Sequence, residues 1–370
     1  MNISFLRCLA LMGFIMGLLN PLFTHADTKV SGDYPSLMSS LKIGTSQNFC
    51  NEEVPIKNQE IRERFEKELL LSLWDRPQVI LWLKRSHRYL PHIEKMLEKN
   101  GIPDDLKYIA VAESALRPHV GSRKGAIGFW QFTSATAREY GLVVDKYVDE
   151  RRNIFASTEA AIRYLKQLHQ DFGSWTLAAA AYNMGEGGLM AEIMEQGTNN
   201  YYTLYLPLET QRYLFRILSV KLIFSDPEKY GFRLTKNDIY PPLSFEQVQV
   251  TCSREIPIRI IAQAANSHFK AIKDLNPELR GHYLAKGEHT IFVPRGASMG
   301  FQGRYANLEK KYSATREEKI YIVKEGDNLS VIADRFGVPL AALIIWNRID
   351  LQRPIHPGDR LIINQENTKP

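Results

Sequence analysis

The sequence predicts a multidomain protein in which a mainly α-helical domain is followed by small α+β modules. The chain has 370 residues, which is too long for one compact domain of ordinary size. Residues from about 57 to 225 place apolar side chains three and four positions apart, a spacing typical of amphipathic helices, and the helical domain is predicted over 57–235. From about residue 236, prolines and short strand-like runs replace the long helices. Hydrophobic residues make up 44% and charged residues 24% of the chain, which excludes a disordered or many-spanning membrane protein.

Residues 1–26 have the pattern of a secretory signal peptide, and residues 27–56 form an amino-terminal extension. One basic residue, Arg7, precedes an apolar run from Cys8 to Phe23, and the small Ala26 offers a cleavage site. An uncleaved amino-terminal anchor is the alternative, because the run is near the lower length limit for crossing a bilayer. Both interpretations predict an exported protein in the periplasm or the cell envelope.

Two cysteines, Cys50 and Cys252, remain once the signal peptide is removed with Cys8. In an oxidising compartment such a pair could form one disulfide bridge. The alternative is two unpaired thiols, because the sequence gives no distance between them. A bridge would tie the start of the helical domain to the segment that follows it.

The formal net charge of +6 favours an anionic partner. Nucleic acid and a cell-wall polymer are both polyanions, but the basic residues are scattered among acidic ones and no nucleic-acid motif is present. Together with the export signal, this pattern favours the cell envelope and argues against a nucleic-acid partner.

Glycine, proline and serine residues predict where helices begin and end in the first domain. We expect Gly101 to end one helix, Pro103 to open the next and Ser157 to cap a third. Gly173 and Gly185 are placed at the carboxyl ends of two further helices.

The carboxyl-terminal part contains one unit twice. Residues 256–293 align with residues 327–364 at a constant offset of 71, without a gap. The aligned pairs are Ile261 with Ile332, Ala262 with Ala333, Ile272 with Leu343, Asn276 with Asn347, and Gly287 with Gly358. Each copy is predicted to fold as strand, helix, helix, strand. The predicted domains are 236–297 and 319–364, with a flexible polar linker over 298–318 and a tail over 365–370.

Glu113 is the candidate catalytic residue, because its position places it on an apolar helix face. Leu106, Ile109, Ala110 and Leu116 lie three, four and seven positions from it. A carboxylate in such a setting loses water, which raises its pKa and makes it a general acid near neutral pH. The alternative is an ordinary helical glutamate that reaches the surface or pairs with a basic residue.

Three further blocks follow Glu113-Ser114 along the chain. They are Gly125-Ala126-Ile127-Gly128-Phe129-Trp130-Gln131-Phe132, then Ala181-Tyr182-Asn183 with Gly185, then Glu209-Thr210 with Tyr213. In this order and spacing, the four blocks resemble the Slt-type (family 1) lytic transglycosylases, and the whole chain resembles their membrane-bound D subgroup. The subgroup is often attached to the outer membrane through a lipidated cysteine, but Cys8 stands in the wrong context for that processing.

The resemblance implies a lysozyme-like catalytic domain in which Glu113 is both acid and base. It also implies that Ser114, Gln131, Tyr182, Asn183 and Tyr213 line a glycan groove. The implied reaction cleaves the bond between N-acetylmuramic acid and N-acetylglucosamine without water and leaves a 1,6-anhydromuramoyl end. Amide and hydroxyl groups that both donate and accept suit sugar recognition.

Two other functions remain open at this point. A hydrolysing muramidase commonly needs a second carboxylate, and the motif blocks single out none, although Glu186 and Glu209 are candidates. A protein that keeps the fold but only binds the wall is the alternative from another class.

The second repeat, from Tyr321 to Ile363, resembles LysM, a module that binds glycans containing N-acetylglucosamine. Its candidate binding residues are Gly326, Asp327, Asn328 and Ser330. The first repeat lacks the Gly-Asp turn, so glycan binding and a packing role are equally open for it. We expect peptidoglycan strands as the partner, peripheral association with the envelope, a monomer, and no cofactor or metal, since the histidines form no ligand-spaced cluster.

Overall fold

The computed structural model describes residues 35–315, 319–347, 349–351 and 354–363. The predicted signal peptide and the tail lie outside these ranges, as does the first part of the amino-terminal extension. Within them, no single helix is long and apolar enough to cross a membrane. Two short helices of the last repeat, Leu329–Phe336 and Leu340–Asn347, pass the same test only when taken together across a 107° bend.

The first domain is helical, as the sequence predicts, and carries a small β-hairpin at its start. Its strands are β1 (Gln47–Phe49) and β2 (Glu52–Val54). Its helices are α1 (Leu37–Ser40), α2 (Gln59–Trp74), α3 (Arg76–Lys99), α4 (Lys107–Ser114), α5 (Ser134–Glu139), α6 (Ile154–Phe172), α7 (Trp175–Met184), α8 (Glu186–Gln196) and α9 (Leu208–Ser225). Short 3₁₀ turns cover Asp104–Leu106, Glu150–Arg152 and Glu228–Tyr230.

Four of the five predicted helix boundaries are confirmed. Gly173 and Gly185 follow the last residues of α6 and α7, and Pro103 precedes the turn that opens α4. The prediction for Ser157 was wrong, because Asn153 caps α6 by accepting bonds from two backbone amides of the first turn. Ser157 lies one turn inside the helix, where its hydroxyl donates to the Asn153 carbonyl.

The β-hairpin belongs to the helical domain, so the domain begins before residue 57. Phe49 and Val54 are fully buried in the main core. The Glu52 carboxylate caps the start of α7: it accepts bonds from the backbone amides of Trp175 and Thr176 and from the hydroxyls of Ser174 and Thr176. A carboxylate is stabilised there because the positive end of the helix dipole and its unpaired amides point toward it.

The first repeat forms a separate apolar core around an antiparallel pair of strands. Its elements are β3 (Phe245–Cys252), β4 (Ile256–Pro257), α10 (Ile258–Ala264), α11 (Phe269–Leu275), β5 (Tyr283–Leu284) and β6 (Gly287–Pro294). β3 pairs with β6 along its whole length, and the short β4 pairs with β5. The predicted order of strand, two helices and strand is confirmed.

The predicted flexible linker over 298–318 was wrong. Helix α12 (Phe301–Thr315) occupies most of it and packs on α10. Phe301 and Tyr305 are buried in the core of the first repeat, and the Arg304 guanidinium donates to the Ala264 carbonyl at the end of α10. The helix is therefore a third helical element of the first repeat.

The second repeat contains β7 (Lys319–Ile322), α13 (Leu329–Phe336), α14 (Leu340–Asn347) and β8 (Arg360–Ile363). In both repeats one asparagine holds the closing strand: Asn276 bonds the backbone of Phe292, and Asn347 bonds the backbone of Ile362. These separations are 16 and 15 residues. The alignment without a gap was therefore wrong in the closing strand, where the second copy is one residue shorter.

The disulfide considered for Cys50 and Cys252 is not formed, and both cysteines are free and buried. Cys50 lies in the core of the helical domain, and its backbone amide donates to Asp105. Cys252 lies in the core of the first repeat, where its thiol contacts the hydroxyl of Tyr305. The two thiols lie in two different hydrophobic cores, and no disulfide joins them.

Candidate active site

Glu113 stands in the last turn of α4, a short helix held in the middle of the domain. Ile109, Ala110 and Leu116 around it are fully buried, as the spacing of apolar residues predicts. The helix ends abruptly, because Ala115 and Leu116 both take left-handed backbone conformations, with φ of 53° and 56°. Arg85 from α3 donates to the Ala115 carbonyl and so fixes this end. The sharp turn places Glu113 one residue from the end of the helix.

Burial raises the pKa of Glu113 from its ordinary value of 4.5 to about 7. The hydroxyl of Tyr213 donates to Glu113 Oε1 at 2.5 Å, and this bond lowers the pKa, as does the charge of Arg216. Glu209 raises it slightly further. Loss of water is the larger effect, so the carboxyl is poised to give and to take a proton near neutral pH.

Tyr213 and Tyr182 form the wall beside this carboxyl. Tyr213 lies on α9 and is buried, and Tyr182 lies on α7. Burial raises the pKa of both hydroxyls well above 10, so both stay protonated and act as donors. The Tyr182 hydroxyl donates to the Trp130 carbonyl at 2.6 Å. The three predicted residues Glu113, Tyr182 and Tyr213 are therefore brought together, two of them in direct contact.

Gln131 lies on a tight loop, Gly125–Phe132, next to the carbonyl that Tyr182 holds. Its backbone is left-handed, with φ of 51°, and its amide nitrogen donates to the carbonyls of Gly128 and Val120. Within the described part of the chain, the Gln131 amide oxygen has no hydrogen-bond partner. The two bonds of the amide nitrogen therefore fix the Gln131 side chain and leave its amide oxygen available as a hydrogen-bond acceptor.

Asn183 is held from the other side by Thr210, a residue for which the sequence predicts no separate role. The Thr210 hydroxyl, buried on α9, donates to Asn183 Oδ1 at 2.9 Å. This bond leaves the Asn183 amide nitrogen without a partner among the residues described. Thr210 lies three positions before Tyr213, so helical spacing alone places both on one face of α9.

Ser114 was predicted to line the groove, and the structure corrects this. Its side chain is buried, and its hydroxyl lies within donating distance of the carbonyls of Phe129 and Ala110, at 2.8 and 3.0 Å. Ser114 is only 2% exposed and its one hydroxyl proton faces buried carbonyls, so its side chain does not line the groove. Ser114 instead ties the catalytic helix to the Gly125–Phe132 loop.

A buried arginine, Arg151, which is absent from the predicted site, supports the Gly125–Phe132 loop through hydrogen bonds to its backbone. The Arg151 guanidinium pairs with Asp149 through two bonds of 2.8 and 2.9 Å, and it donates to the carbonyls of Gly125 and Phe132. Both members of the pair are buried. The motif Asp-Glu-Arg-Arg is visible in the sequence, but nothing local shows that Arg151 points inward.

In the second repeat, the turn at residues 326–330 is shaped by its own polar groups. Asp327 accepts bonds from the Tyr321 hydroxyl and the Lys324 amide, and Asn328 caps α13. Gly326 and Ser330 are exposed. The turn is therefore preformed and open to solvent. No group of three or more His, Cys, Asp or Glu side chains that could hold a metal occurs among the described residues.

Comparison with known proteins identifies two domain families in the chain. The transglycosylase SLT domain family matches residues 91–204, and the LysM domain family matches residues 321–364. Membrane-bound lytic murein transglycosylase D of Escherichia coli (strain K12) is 30% identical over 321 residues, which cover 83% of this chain and 69% of that protein. The peptidoglycan transglycosylase gp16 of Escherichia phage T7 is 37% identical over 121 residues, which cover 29% of this chain and 9% of that protein.

The helical fold and the SLT match define a transglycosylase-domain protein with a carboxyl-terminal LysM domain. The similarity to transglycosylase D extends through most of both chains. The chain therefore belongs to the lytic murein transglycosylase family.

Proposed function

We propose that this protein cleaves the β-1,4 bond between N-acetylmuramic acid and N-acetylglucosamine in peptidoglycan, with Glu113 as its single acid and base. The observation that carries the proposal is a buried carboxyl with a pKa of about 7 that accepts a bond from Tyr213. The nearby acid Glu209 is unsuited to a second role, because it is exposed and forms an ion pair with Arg216 at 2.9 Å.

One carboxyl suffices if the substrate supplies the nucleophile. Protonated Glu113 gives its proton to the glycosidic oxygen, the bond from that oxygen to the muramoyl C1 breaks, and the acetamido group stabilises the positive charge at C1. The resulting Glu113 carboxylate then takes the proton of the muramoyl C6 hydroxyl, whose oxygen bonds to C1. Glu113 ends protonated, no water is consumed, and an internal nucleophile has a large proximity advantage over water.

Two polar groups and one aromatic ring suit the positioning of the sugar rings. We assign the acceptor on Gln131 and the amide nitrogen of Asn183 to hydrogen bonds with substrate hydroxyl or acetamido groups. We assign the half-buried ring of Tyr182 to contact with a sugar face, because it supplies flat aromatic surface. Each of these side chains is already fixed by a neighbour, so little conformational entropy is lost when substrate binds.

The second repeat holds the enzyme on its polymer in this proposal. Gly326, Asp327, Asn328 and Ser330 form the turn assigned to glycan binding, and the peripheral association with the cell envelope follows from the substrate. Mass spectrometry of the products released from purified sacculi tests the central proposal. We expect anhydromuramoyl ends, one water lighter than hydrolysed ends; hydrolysed ends alone would identify a muramidase instead.

The Tyr213→Phe variant should move the pH dependence of cleavage. The Tyr213 hydroxyl lowers the pKa of Glu113, so its removal raises that pKa above 7. The first step needs protonated Glu113 and slows as the pH rises through the pKa. The basic limb of the kcat/KM profile should therefore shift to higher pH.

The matched control for that measurement is Tyr108→Phe, which removes a hydroxyl from the same helix as Glu113. Tyr108 packs against Phe224, and its effect on the profile should be nil. A basic limb that stays in place in the Tyr213 variant would contradict the assignment of the limb to Glu113.

A further inference from the structure

The two repeats differ in what covers the turn that joins the first strand to the first helix. In the second repeat this turn, residues 326–330, is open to solvent at Gly326, Asn328 and Ser330. The offset of 71 places Glu255–Arg259 at the same position in the first repeat. There the Tyr147 hydroxyl, from the helical domain, donates to the Glu255 carboxylate.

The segment around Tyr147 lies along the first repeat and forms one isolated β-bridge with it, between Val148 and Leu279. Arg280 donates from its backbone amide to the Tyr147 carbonyl at 2.6 Å and from its guanidinium to the Asp145 carbonyl at 2.7 Å. The Asp149 amide donates to the Glu278 carbonyl. Because β4 pairs with β5, the turn at 255–259 lies beside residues 278–284, and the helical domain contacts this edge at Glu255 and at residues 278–280.

A second, apolar contact lies beside this edge. The ring of Phe155 on α6 packs against Phe245 and Phe292 on the paired strands of the first repeat, with ring centres 5.7 and 5.5 Å apart. His92 on α3 lies 6.5 Å from Phe245. The first repeat is thus joined to the helical domain through backbone bonds and aromatic packing together.

This contact continues directly into the active site. Asp149, whose amide bonds the first repeat, also accepts the Arg151 guanidinium, and Arg151 holds both ends of the Gly125–Phe132 loop that carries Gln131. The Arg151 carbonyl lies against Gly128 in the middle of that loop. Asp149 and Arg151 therefore link the first repeat to the loop that carries Gln131.

We propose that the first repeat is an internal brace: its turn and edge bind residues 145–149 of the catalytic domain in place of glycan, and so position Gln131. This inference rests on the proposed function. The inference assigns different roles to the two repeats: the first binds the catalytic domain, and the second binds the glycan polymer.

The Val148→Asp variant tests the brace, because it places a charge against Leu279 and near the buried Glu278 carboxyl. The matched control is Val143→Asp, the same change in the same segment at a side chain that is exposed. In Val148→Asp we expect calorimetric unfolding to separate the helical domain from the first repeat. In the wild type and in Val143→Asp the two should unfold together.

Kinetics then separate positioning from simple loss of folded protein. Well below the unfolding temperature, Val148→Asp should raise KM for soluble glycan strands about tenfold, the size expected for about 1.4 kcal/mol of lost binding. The basic limb of its pH profile should not move, because Glu113 and Tyr213 lie on other elements. A lower kcat with unchanged KM would indicate only less folded enzyme and would overturn the positioning role, as would kinetics equal to those of Val143→Asp.

Glycan binding by the two repeats is measured on the full chain carrying Glu113→Gln, with an N-acetylglucosamine tetramer as the probe. Amide resonances of residues 326–330 should shift on titration, and those of the residues of 255–259 other than Pro257 should not. A saturable shift at residues 255–259 would overturn the brace. Wild type that releases no anhydromuropeptides would instead refute the proposed function, so the two failures are distinguishable.

Discussion

Glu113→Gln should abolish turnover while leaving the protein folded and bound to sacculi. Glutamine keeps the shape of the side chain and can still accept the Tyr213 bond, but it can neither donate an acidic proton to a leaving oxygen nor accept one from a hydroxyl. General acid or base catalysis by one group contributes about 10²–10⁴-fold. Because one residue serves both steps here, we expect a loss of at least about 10³-fold in kcat, measured as muropeptide release.

The control for this variant is Glu186→Gln, at the other carboxylate that the sequence offered as a second acid. Glu186 is exposed at the first turn of α8, after Gly185. Its variant should cleave sacculi at the wild-type rate. If Glu186→Gln lost as much kcat as Glu113→Gln, both carboxylates would be needed for cleavage, and a hydrolytic mechanism would be favoured. Full activity of Glu113→Gln would remove the assignment altogether.

The burial of Glu113 could be predicted because it depends on local spacing. Ile109, Ala110 and Leu116 fall on the same helix face as Glu113, and each is buried. The ends of α6 and α7 were predictable for the same reason, since Gly173 and Gly185 directly follow helical runs and glycine readily takes the positive φ that ends a helix. Such features need only a few neighbouring residues.

The missed helix α12 was also visible in principle. Phe301, Tyr305, Leu308 and Tyr312 follow one another at steps of four, three and four, which is helical spacing, and all four pack on the core of the first repeat. The polar composition of residues 298–318 outweighed this pattern in the prediction. Composition was a poorer guide than periodicity, because a helix lying on a small domain has one polar face.

The supports of the site could not be predicted, because they join residues far apart in the chain. A serine hydroxyl is a group that commonly binds sugars, but the Ser114 hydroxyl donates to the Phe129 carbonyl, 15 positions away. Arg151 reaches a carbonyl 26 positions away, and Arg280 reaches one 135 positions away. Sequence blocks identified which residues gather at the site, whereas only the fold distinguishes those that face substrate from those that hold them.

Gly128→Ala should be the most destabilising small substitution in the active-site loop. A Cβ at this position would stand 1.8 Å from the Arg151 carbonyl oxygen and 2.5 Å from its carbon, and both are backbone atoms. They cannot move aside cheaply, because the Arg151 side chain is bound to Asp149, Gly125 and Phe132. We expect a loss of about 4 kcal/mol or more in the free energy of unfolding, a large part of the roughly 5–15 kcal/mol of a typical domain.

The same loop supplies the control, Gly125→Ala. Gly125 also has a positive φ, 78° against 87° at Gly128, but no atom lies within 4 Å of the position that a Cβ would take there. Alanine at this site should cost only the left-handed backbone strain of about 1–2 kcal/mol. Denaturant unfolding of both variants separates the cost of the steric clash with the Arg151 carbonyl from the cost of the left-handed backbone. Equal free energies of unfolding for the two variants would show that the Arg151 carbonyl does not clash with a Cβ at position 128. The kinetics of any folded Gly128→Ala should show a raised KM, since the displaced loop carries Gln131 while Glu113 lies on a different element.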